Sequence, residues 1–78
     1  MKRNSTILKE LDFKEDGGCY RKYYSVNTRI SVYGKTIYAE RYFNDDDDGY
    51  GYGWGWYDYK PTSRKMLADI AKLKENLK

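Results

Sequence analysis

The chain has no histidine, a single cysteine, a single proline and no long apolar run. Without histidine, the commonest general base and the commonest metal ligand are both missing. A lone cysteine, Cys19, excludes an intramolecular disulfide and a thiolate zinc site. With no imidazole to activate it, Cys19 is expected as a small, partly buried hydrophobe, not a nucleophile. Met1–Asn4 runs into the mixed stretch Ser5–Asp16, so no secretory leader is legible. No stretch approaches the ~18 apolar residues of a membrane span. The expected address is therefore cytoplasmic, with no membrane partner. No carboxylate pair sits on two rigid elements in a manner suited to acid–base work, so the chain reads as no enzyme and calls for no cofactor.

Aliphatic side chains are scarce too: Ile, Leu, Val and Phe together make 13 of 78 residues. Taken alone, that poverty points towards disorder. Ten Tyr and two Trp argue the other way, because each buried aromatic removes about 150–250 Å² from water. Aromatics must do much of the core-filling in what is, by length, one domain at most. Charge is uneven along the chain. Residues 44–59 hold five acids and no base, whereas the rest holds all 15 Lys and Arg with the other seven acids. A net −5 thus stands beside a net +8, and either pole can steer a partner.

Three periodicities organise the chain. In residues 5–13, Ile7, Leu8 and Leu11 fit one helical face, with Asn4 or Ser5 as cap and Gly17-Gly18 ending the segment. Ile7, Leu11 and Phe13 also fit strand alternation. From Tyr23 to Tyr33, Tyr24, Val26, Thr28, Ile30 and Val32 alternate with polar residues, which predicts one half-buried strand. Gly34-Lys35 suits a type II′ hairpin turn. Closing it sets Val32 against Ile37, Ile30 against Ala39 and Val26 against Phe43 on an apolar face. On the opposite face it sets Ser31 against Tyr38, Arg29 against Glu40 and Asn27 against Tyr42. Arg41 falls on the apolar face near its end, between Thr28 and Tyr52, where a snorkelling stem or a cation–π contact is expected.

A third strand is expected in the aromatic–glycine stretch 50–56. If 44–49 form a hairpin loop, Phe43 pairs with Tyr50, Ala39 with Trp54 and Ile37 with Trp56, and the aromatics join the core. Tyr38 then lies over Gly55 and Tyr42 over Gly51. A strand shifted by one residue exposes the aromatics instead, as a docking platform. Beyond Pro61, Thr62 or Ser63 can cap a helix whose stripe Met66, Ile70, Leu73 and Leu77 needs the apolar sheet face. The expected fold is α+β: a three-stranded antiparallel meander over 19–60, a C-terminal helix over 61–78, and a helical or irregular N-terminal segment over 1–18.

Candidate sites follow from chemistry. Asp45, Asp46, Asp47 and Asp48 resemble a run of phosphates, and Tyr50, Tyr52, Tyr38 and Tyr42 offer rigid contact area beside them. Asn44, Asp46, Asp48 and Gly49 match the first half of a calcium loop, but the twelfth position is Gly55 where a bidentate Glu belongs, so metal binding is not expected. Arg64 and Lys65 stand in the first turn of the C-terminal helix, against its dipole, as two solvated side chains or, alternatively, around a bound anion.

Two readings compete. In the first, the chain is a small binding protein of the kind found among phage- or mobile-element-encoded inhibitors, anti-CRISPR proteins included. Its acidic, Tyr-rich tip then blocks a larger host protein at a basic, nucleic-acid-handling surface. In the second, the chain binds DNA or RNA itself through Arg21, Lys22, Arg29, Lys35, Arg64 and Lys65. Three strands followed by a helix resemble the arm-type DNA-binding domains of phage and transposon integrases. A helix first and basic residues opening the last helix resemble double-stranded-RNA-binding domains. A monomer or weak homodimer fits either reading.

Overall fold

The computed structural model describes residues 2–43 and 55–78. The chain is α+β, but the antiparallel sheet has five strands among the described residues, not three. In order come α1 (Asn4–Glu10), β1 (Lys14–Asp16), β2 (Cys19–Ser25), β3 (Thr28–Tyr33), β4 (Thr36–Phe43), β5 (Gly55–Asp58) and α2 (Arg64–Asn76). The strands lie in sequence order as a meander. The five-stranded sheet departs from the three-stranded architecture on which the likeness to integrase arm domains rested. No helix among the described residues is long and apolar enough to cross a membrane.

The N-terminal helix is neither capped nor ended where the sequence suggested. Arg3 occupies the N-cap without a side-chain bond, and Asn4 is otherwise engaged. Its amide nitrogen donates to the Lys78 carbonyl at 2.9 Å, and its amide oxygen accepts from the Lys78 N–H at 3.0 Å. Past Glu10 and the C-cap Leu11, Asp12 turns the chain out of the helix with a left-handed φ of 71°. The Phe13 N–H then reaches the Leu8 carbonyl and the Asp12 N–H the Lys9 carbonyl. These are the two bonds of a Schellman motif, and its usual hydrophobic contact is supplied by buried Leu8 and Phe13. Gly17 and Gly18, both at positive φ, join β1 to β2 in a two-residue turn of the type that demands that backbone at both positions. Residues 1–18 therefore contain a strand that alternation could not reveal, because three charged residues make it.

The long strand expected over 23–33 is two strands. Ser25 pairs with Thr28, so Val26 and Asn27 form the turn between β2 and β3. Ser25 Oγ accepts from the Asn27 N–H, and Asn27 Oδ1 accepts from the Ser25 and Thr28 hydroxyls. Val26 is 97% exposed and meets no Phe43 on a core face. In contrast, the β3–β4 hairpin has the expected register: Val32 opposite Ile37, Ile30 opposite Ala39, Ser31 opposite Tyr38, Arg29 opposite Glu40. The Tyr42 N–H donates to the Asn27 carbonyl. Gly34 takes φ 63° and Lys35 a negative φ, as a type II′ turn requires.

The helices pack on one face of the sheet. Leu8 and Phe13 meet Ile30 and Val32 of β3 and Met66 and Leu73 of α2, with Ile70, Leu77, Ile37 and Ala39 around them. Each fully buried aliphatic of this kind contributes about 1.5–3 kcal/mol. Ser63 caps α2, its hydroxyl accepting from the Met66 N–H.

The last strand overturns the expected register. Tyr42 pairs with Trp56 and Phe43 with Gly55, while Glu40 pairs with Asp58. The offset from the expected pairing is an odd number of residues. Trp56 consequently lies on the face away from the helices, not against Ile37, and Gly55 lies beside Phe43, not under Tyr38. The expected pairings of Tyr50 and Trp54 and the contact at Gly51 lie outside the described residues.

Candidate functional site

The face of the sheet away from α2 carries side chains at Arg21, Tyr23, Arg29, Ser31, Tyr33, Tyr38, Glu40, Tyr42, Trp56 and Asp58. Sequence alternation marks it as water-facing. The structure instead buries its centre: Arg29 and Ser31 are 8% and 0% exposed. Both faces of β3 are therefore interior, one apolar and one ionic.

A continuous hydrogen-bonded row explains how charge is tolerated there. Asp16 accepts from Arg21 Nη1 at 2.7 Å, and Arg21 Nε donates to Ser31 Oγ at 3.1 Å. Ser31 Oγ donates onward to Glu40 Oε1 at 2.7 Å, which also accepts from Arg29 Nε at 2.8 Å. Arg29 Nη1 ends the row on the Tyr23 hydroxyl, and Arg21 Nη2 donates to Tyr33. The bond from Asp16 raises the Arg21 pKa above its ordinary value, so that side chain stays cationic. Among the described residues no buried side-chain N or O lacks a partner, which is the condition for an ionic layer to be tolerated inside a fold.

Trp56 covers this layer. Its ring centroid lies 3.9 Å from the Arg29 guanidinium carbon, and Tyr23 and Tyr42 meet the indole edge-on at 5.8 and 5.5 Å. A weakly hydrated planar cation under an indole is a favourable cation–π arrangement. The register of β5 is thus tied to the burial of Arg29. Arg41 makes the cation–π contact expected of it, but with Tyr59 at 5.3 Å, since Tyr57, not Tyr52, stands opposite.

A second polar cluster, which sequence reasoning did not find, stands on the helix side. Asp69 of α2 accepts from Lys22 Nζ at 2.8 Å and from the Tyr24 hydroxyl. A bulge between Tyr23 and Ser25 accompanies the placement of Tyr24 against the helix. Burial pushes the Asp69 carboxyl up, but the Lys22 ammonium, the Tyr24 hydroxyl and the field of Lys72 outweigh it and hold the pKa below its ordinary value. Burial first, and then Asp69, push the Tyr24 phenol well above its own. The available signal was Asp69 lying within the Met66–Ile70–Leu73 stripe.

The proposed nucleic-acid residues are dispersed. Arg21, Lys22 and Arg29 are committed to Asp16, Asp69 and Glu40 in ion pairs of 2.7–2.8 Å. Lys35, Arg64 and Lys65 are exposed, at the β3–β4 turn and at the start of α2. Of the proposed protein-binding residues, Tyr38 and Tyr42 lie on the ionic face. Asp45–Asp48, Tyr50 and Tyr52, together with the calcium-like pattern, lie outside the described residues. Residues 44–54 join Phe43 to Gly55, which are paired neighbours. At that end of the sheet Phe43 and Tyr57 are exposed, as is Val26 in the β2–β3 turn. Phe43 and Tyr57 touch with ring centroids 6.1 Å apart. Cys19 is buried, its thiol donating to the Asp16 carbonyl.

Comparison with family models, with curated proteins and with solved structures finds no match.

Proposed function

We propose, from its residues alone, that the chain is a non-catalytic protein-binding module of the phage- or mobile-element inhibitor kind, an anti-CRISPR-like antagonist. It acts by occupying a basic, nucleic-acid-handling surface of a larger host protein. The carrying observation is the exposed apolar group Val26, Phe43 and Tyr57 at the sheet end to which the sequence attaches Asp45–Asp48 and Tyr50. An apolar centre beside a charged flank is the usual composition of a protein–protein interface. Four consecutive carboxylates supply the long-range attraction to a cationic groove. The second reading, direct binding of DNA or RNA, is weakened because three of its six cations already have internal carboxylates. A neutralised cation releases no counterion on meeting phosphate.

The test is capture of partners from a bacterial host lysate on the immobilised chain, with and without nuclease. The expected result is a protein that survives nuclease and is lost when Asp45–Asp48 are all replaced by Ser. Retention by that variant rules the mechanism out, and recovery of nucleic acid alone transfers support to the second reading.

A further inference from the structure

We propose that the depression bounded by Tyr33, Tyr38, Glu40 and Asp58 is a receptor for one guanidinium group, the arginine side chain of a protein partner. This rests on the reading above that the partner surface is basic, and assigns it a contact made by residues other than Asp45–Asp48.

Glu40 and Asp58 stand directly opposite one another on β4 and β5. Opposed residues on one face hold their Cβ atoms about 4.5–5.5 Å apart, and two like charges so placed repel. One of the two charges is compensated within the fold, because Glu40 is matched by Arg29. Asp58 is exposed and, among the described residues, makes no ion pair, not even with Lys60 two positions on. The depression therefore holds one negative charge in excess, which calls for one monocation.

Its walls select the kind of cation. Tyr33 and Tyr38 meet edge to face with centroids 5.7 Å apart, and remain 45% and 41% exposed. Arg21 reaches the Tyr33 hydroxyl, but its charge is matched by Asp16. Exposed tyrosine rings beside a carboxylate suit a group that is planar, weakly hydrated and able to present a fork of N–H donors. That describes guanidinium better than ammonium. The depression, of about 460 Å³, has room for the end of an arginine side chain. The fold already places one guanidinium in the same kind of setting, with Arg29 on Glu40 under Trp56.

The experiment uses the full chain carrying Ser at positions 45–48, so that the acidic tip contributes nothing, titrated with tri-arginine and followed by amide chemical shifts. Shifts at Tyr33, Tyr38, Glu40 and Asp58 are expected, with tri-lysine binding more weakly. Adding Asp58→Asn should weaken tri-arginine binding about tenfold. Asp58→Lys, which carries its own cation into the depression, should abolish it. A dispersed spectrum for each variant verifies the fold, and the exposed position of Asp58 makes either change tolerable. Absence of shifts at these four residues, or an affinity indifferent to Asp58→Asn, overturns the proposal. Because the tip is already removed, failure here is distinct from failure of the acidic-tip mechanism, which is read by lysate capture.

Discussion

Glu40 holds the guanidinium of Arg29 inside the second face of the sheet, Nε to Oε1 at 2.8 Å, with only 10% and 17% of the two side chains exposed. The pair joins β3 to β4, and through Trp56 it also fixes where β5 lies. Breaking such a pair from one side is costly, because the remaining charge stays buried without a partner. Glu40→Ala is therefore expected to cost about 3 kcal/mol, measured by urea denaturation. Arg29→Met combined with Glu40→Leu should recover most of that loss, since an apolar pair of similar volume leaves no orphan charge. A double variant no more stable than Glu40→Ala would show that the indole–guanidinium contact, not the ion pair, dominates.

The cluster at Asp69 gives stability two pH limits. The Asp69 carboxyl has a folded pKa below its ordinary 3.8. Its contribution is complete above that value and is lost as pH falls through the lower, folded one. The Tyr24 phenol has a folded pKa raised above its ordinary 10.0. That contribution is complete below pH 10.0 and disappears as pH rises towards the folded value. Thermal midpoints should accordingly show a plateau bounded on both sides. Asp69→Asn should flatten the acid limb, and Tyr24→Phe the alkaline one. An alkaline limb unchanged in Tyr24→Phe would separate that phenol from the stability of the fold.

Val26 and Ile30 test the break between β2 and β3. Both are β-branched and four residues apart, and a single strand would give them one face. Ile30 is wholly buried and Val26 almost wholly exposed. Ile30→Ala should destabilise by about 3 kcal/mol, and Val26→Ser by no more than about 0.5 kcal/mol. Denaturant midpoints decide it: comparable losses at both sites are incompatible with a turn at Val26-Asn27.

Much of the fold was legible because its signals are local. In the β3–β4 hairpin, Gly34 at the turn, the apolar alternation and the Arg29–Glu40 charge match all select one register. The stripe on α2 and the Ser63 cap are equally local. The turn at Val26-Asn27 had a signal as well, in hydroxyl and amide side chains at Ser25, Asn27 and Thr28 that bond backbone and one another. An apolar Val at the turn masked it, because it continued the alternation unbroken. In β1, charge at every position left no alternation to read.

The sequence by itself determined the α+β class, the β3–β4 register and the apolar stripe of the C-terminal helix. Each is set by neighbours along the chain or across one tight turn. Tertiary structure alone decided the chemistry of the second sheet face. The glycine–aromatic repeat offers several registers of nearly equal local merit. The choice among them falls to a distant interaction, the covering of the buried Arg29 guanidinium by Trp56. That same choice sets Asp58 opposite Glu40, and so creates the surface on which a partner's cation is expected to rest.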